Sequence, residues 1–143
     1  MLWPSTLVLG GIAVIVGSFL PWGTCPDTRC GAEGVGFFVL VERSGIDFGP
    51  GILTGIGGVL MAACGAALFR APGVRLFRTA PLLLAALVVV IVAGFVLRMY
   101  VFPEFLLYGP NVGVYTAAIG GVIGGAAGLG LKAQPHPGVV NEG

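Results

Sequence analysis

Charge is what this chain lacks. Of 143 residues only seven are Lys or Arg and six are Asp or Glu, 9% in all, against roughly a quarter in ordinary soluble domains. So little charge cannot cover a water-facing surface, which excludes an ordinary soluble globule. The net charge of +1 leaves no basic surface for nucleic acid. Histidine occurs once, at His136 in a Pro-flanked tail. One histidine makes no metal site, and no Cys/His/Asp cluster has ligand spacing. Acids are missing from every long apolar run, which removes the titratable group that a proton or cation relay needs. The stretch "GGVIGGAAG" (120–128) lies inside such a run without a following Lys, so it is no phosphate loop. The expectation is a protein that is not an enzyme and holds no cofactor.

What is there is apolar. The chain is 57% hydrophobic with a mean hydropathy of +1.03, and long uncharged stretches mean that the solvent is lipid. Four segments are long enough to cross, at about 4–22, 50–69, 80–101 and 112–131. No Lys or Arg precedes residues 5–20 and no small-residue cleavage site follows them, so this segment is expected to remain as a span. Pro4 suits a first helical turn. The fold class expected is an all-α membrane protein, a four-transmembrane-helix bundle forming one domain over 1–132, with a flexible tail over 133–143.

The loop "RAPGVRLFR" carries Arg70, Arg75 and Arg78 without an acid, and Lys132 closes the fourth segment. Such loops stay cytoplasmic, so both termini are expected inside and the protein in the cell membrane. The longest loop, 23–49, then faces the oxidising side. It holds Cys25 and Cys30 in "CPDTRC", and two cysteines there are expected to form a disulfide. A ring that small constrains the unfolded chain by ~2 kcal/mol. "GVGFFVLV" (34–41) is too short to cross and reads as either a strand of a small outer sheet or a segment lying in the interface. Trp3 and Trp22 are expected to mark the two membrane faces of the first span.

Glycine spacing is the strongest pattern. Gly120, Gly124 and Gly128 recur every four residues, as do Ala117, Gly121 and Gly125; Gly51, Gly55, Gly58 and Ala62 follow similar spacing in the second span. Small residues on a shared helix face let another backbone approach, which is what associates helices in lipid. They serve either packing within the bundle or a glycine-zipper face for another subunit. Arg98, near the outer end of the third span, is expected to snorkel or to pair with Glu104, with a lipid headgroup or a partner's carboxylate as the alternative. Cys64, mid-span, reads as a small buried hydrophobe.

Three resemblances attach to these residues. Four spans with an outer cysteine pair resemble the quinone-linked thiol oxidases, but those families use Cys-x-x-Cys and a second outer pair, whereas Cys25 and Cys30 stand further apart and alone. "PW" at 21–22 with Cys25, Cys30 and "FFVLV" at 37–41 resembles the claudin-like tetraspan outline, without the Gly-Leu-Trp signature. Leu20–Trp22 ("LPW") and Ser44–Asp47 ("SGID") make the chain similar to small four-span proteins of high-GC, actinobacterial-type bacteria. These resemblances imply architecture and no activity. The function expected is that of an accessory subunit of a larger membrane complex, in contact with the bilayer and other subunits. The alternative is a small homo-oligomer that transports or binds lipid, and a thiol-disulfide oxidoreductase is a remote third.

Overall fold

A computed structural model describes residues 2–26, 40–47, 49–71, 75–101 and 109–133. Four helices dominate: α1 (Leu2–Phe19), α2 (Pro50–Arg70), α3 (Arg75–Val101) and α4 (Val112–Ala133). All four are long and apolar enough to cross a membrane. Their outer faces carry large apolar side chains, with Leu83 72% and Val90 67% exposed. Residues that point there gain nothing from water, and the hydrocarbon of a bilayer is the solvent they fit.

Helix α1 packs between α2 and α4, and α3 closes the ring against those same two helices. Neighbours run antiparallel: Gly11 of α1 sits against Gly58 and Ala62 of α2, while Gly65 sits against Pro4 and Val8. Met61 fills the centre, fully buried, with its methyl group over Gly124 of α4. Leu7, Val14, Val88, Val92 and Ala127 complete the core.

At one end a three-stranded antiparallel sheet forms from β1 (Pro21–Pro26), β2 (Leu40–Ser44) and β3 (Gly109–Pro110), in the order β2-β1-β3. The first span therefore ends at Phe19, earlier than expected, because Pro21 has no N–H to continue the ladder. A strand does begin at Leu40, beyond most of the 34–41 stretch; residues 34–39 lie outside the described residues. Helix α3 begins at Arg75, ahead of the expected start near 80, with Pro81 inside it. Only the Phe77 carbonyl loses its helical partner there, a local cost the surrounding helix absorbs. Gly49, at φ 83°, makes the left-handed turn into α2, and Pro50 follows at a first-turn position. The tail beyond Ala133 lies outside the described residues.

Candidate functional site

The region that joins sheet to bundle is the most specifically built part of the molecule, and Trp22 is its centre. In the β1–β2 register Pro21 faces Ser44 and Gly23 faces Arg43, so Trp22 is an extra, bulged residue. A bulge re-aims a side chain, and here the indole is fully buried. Trp22 is therefore not the interfacial anchor expected of it. Its Nε1 donates to the Gly17 carbonyl at 2.7 Å. In an unbroken helix that carbonyl would accept from residue 21, which is proline and has no N–H. The indole replaces the missing donor.

Three other elements converge on the same ring. Phe95 of α3 meets it edge-on, with centroids 5.0 Å apart and an interplanar angle of 65°. A Cβ built on Gly45 would fall on the indole, and one on Gly113 of α4 would come within 2.6 Å of it. The Trp22 carbonyl accepts from the Asn111 N–H at 3.1 Å. Asn111 then caps α4, its Oδ1 accepting from the Val112 N–H at 2.7 Å.

The "SGID" turn completes the joint. Asp47 Oδ2 accepts from the Ser44 N–H at 3.0 Å and from the Ser44 hydroxyl at 2.8 Å. The Gly45 N–H donates to the Leu20 carbonyl at 3.3 Å, and the Gly51 N–H donates to the Gly45 carbonyl at 2.9 Å. Gly51 is thus consumed at this joint rather than on an outer face. "LPW" and "SGID", far apart in sequence, form one unit.

Below the joint lies a buried hydroxyl pair. Ser18 Oγ and Thr54 Oγ1 are 2.9 Å apart, and each has an acceptor in its own helix, the Val14 carbonyl at 2.8 Å from Ser18 and the Gly51 carbonyl at 3.1 Å from Thr54. With one proton each, one hydroxyl donates to the other, which donates to its backbone carbonyl. Thr116 likewise donates to the Val112 carbonyl at 2.8 Å. All three hydroxyls are thus bonded within the bundle.

The four-residue glycine rows do not stay on one face. Gly120 packs on Val14 and Gly10 of α1, Gly124 lies under Met61, and Gly128 meets the Leu82 backbone of α3. In the second row Ala117 meets Gly17 of α1, while Gly121 and Gly125 face Val88, Val89 and Ala85 of α3. Four residues turn a helix by about 400°, so each step drifts by about 40° and the row crosses to a new neighbour. Seven-residue spacing drifts only about 20°. Gly10 and Gly17 face α4, Gly11 and Ser18 face α2, and Gly51, Gly58 and Gly65 are spaced by seven. The small residues of α1, which four-residue counting misses, take part in both contacts.

Gly55 differs from these: a Cβ there would sit 3.6 Å from Ser18, an ordinary contact. It floors an apolar groove of about 340 Å³ between α1 and α2, walled by Ile15, Phe19, Ile46 and Ile56. A second groove of about 430 Å³ lies between α3 and α4. Cys64 is half-buried and unpaired by any disulfide. Arg98 is exposed near the end of α3, while Glu104 and Cys30 lie outside the described residues, and with them the expected Arg98–Glu104 pair and Cys25–Cys30 bond. Among the described residues no group of three His, Cys, Asp or Glu could hold a metal ion. No protein-family model, curated protein or solved structure matches the chain.

Proposed function

We propose that the protein is a non-catalytic, multi-pass subunit of a larger membrane complex, whose helix bundle is a mount for the sheet. The observation that carries this reading is the joint at Trp22. Side chains from α3 and β1, with the backbone of the "SGID" turn and the first turn of α4, hold the sheet on the bundle. A sheet so small has no core of its own, and holding it rigidly is of use where its shape is recognised. The glycine faces offer little to a partner, since the bundle covers most of them itself. In this reading the partner meets the sheet, the sheet faces outward, the Arg70 end is cytoplasmic, and a Cys25–Cys30 disulfide stiffens the loop beyond β1.

A photo-crosslinking residue at Arg43, in β2, tests this in cells. One adduct of discrete mass supports a subunit role. Absence of any adduct, with the protein correctly inserted, contradicts it. A second reading, a small lipid-binding or transporting homo-oligomer, draws on the groove floored by Gly55. Lipid transfer between vesicles by the pure protein would favour that class.

A further inference from the structure

We propose that the end of the bundle opposite the sheet binds the headgroup of an anionic phospholipid where α3 and α4 meet. The described charges divide unevenly along the bundle. Glu42, Arg43, Asp47 and Arg98 belong to the sheet end, two of each sign. The other end holds Arg70 at the close of α2, Arg75 and Arg78 at the start of α3, and Lys132 in the last turn of α4. No acid accompanies them among the described residues.

The packing of α3 on α4 sets positions 78 and 132 at one level. A Cβ on Gly128 would lie 3.2 Å from the Leu82 nitrogen, and Gly125 and Gly121 face Ala85 and Val88 in turn. The two helices therefore run antiparallel. Seven residues outward from the Gly125–Ala85 contact, on the same faces, position 132 of α4 comes beside position 78 of α3. Like charges at neighbouring positions repel, and an anion supplied from outside removes that repulsion. Lys132 and Arg70 are both exposed, at the ends of helices whose apolar length fits the hydrocarbon. Long basic side chains there reach headgroup level. The anion present at that depth is a lipid phosphate, and a headgroup with net negative charge is favoured over a zwitterionic one.

The test uses the full chain in vesicles of mixed phosphatidylcholine and phosphatidylglycerol. Protein released in mild detergent is weighed by native mass spectrometry with its retained lipid. Phosphatidylglycerol is expected in excess of its share of the vesicles. Arg78→Gln with Lys132→Gln lowers that enrichment roughly fivefold for each cation removed, while Arg98→Gln at the sheet end leaves it unchanged. Retained lipid that matches the vesicle ratio in the wild type overturns the proposal, as does equal loss in the Arg98 variant or undiminished enrichment in the double variant. Should the double variant fail to fold, salt added to the wild type decides: enrichment must fall, and persistence at high salt contradicts the site.

Discussion

The indole N–H of Trp22 donates to the Gly17 carbonyl at 2.7 Å, the acceptor that Pro21 leaves without a helical donor. One dipeptide thus ends α1 and repairs the end it makes. The bulge at Trp22 turns the ring inward, and Gly45 and Gly113 leave the room it fills.

Two substitutions separate the hydrogen bond from the packing. Trp22→Phe keeps most of the ring contact but orphans the carbonyl, a loss of about 1–3 kcal/mol. Trp22→Ala also empties the joint and should cost about 3–5 kcal/mol. Denaturant unfolding in micelles measures both. A Phe variant as stable as the wild type would show that the indole N–H contributes nothing.

Glycines of the bundle should divide by the space around them. Gly58→Ala and Gly120→Ala press a methyl into the backbones of α1, with Gly11 O at 2.8 Å and Val14 N at 2.7 Å, and should destabilise by about 1–3 kcal/mol. Nothing lies within 4 Å of a Cβ at Gly94, so Gly94→Ala should be neutral or gain up to about 1 kcal/mol. The same unfolding assay reads the three, and equal effects at all three sites would contradict this packing.

Much of the bundle was legible in the sequence, because apolar runs without charge have one physical use at that length. Boundaries were less so. The third span starts at Arg75 rather than near 80, and a helix can carry Pro81 when one lost bond is outweighed by the turns on either side. Trp22 reads as an interfacial aromatic, since no local pattern shows that Gly45 and Gly113 come together to admit it. The glycine rows were visible, but a four-residue repeat cannot say which neighbour each residue meets. Seven-residue spacing does follow a single seam, with Gly10 and Gly17 against α4 and Gly58 and Gly65 against α1.

The Ser18–Thr54 pair should be worth little despite its burial. Each hydroxyl keeps a backbone acceptor when the other is removed. A double-mutant cycle with Ser18→Ala and Thr54→Val should give a coupling of about 0.6 kcal/mol. A coupling several times larger would mean that the two hydroxyls, not the small residues around them, hold α1 to α2.

The proposed Cys25–Cys30 disulfide predicts a labelling pattern. Wild-type protein in intact cells should resist an impermeant maleimide until reduced, and Cys25→Ser should expose one reactive thiol. Labelling of the untreated wild type would remove the disulfide from the account.

The subunit reading meets its most direct test in the native mass of the endogenously tagged protein, extracted in mild detergent. The expected result is a stoichiometric complex containing at least one other membrane protein. A species made only of this chain and bound lipid would contradict it, and would move the function to the apolar groove between α1 and α2.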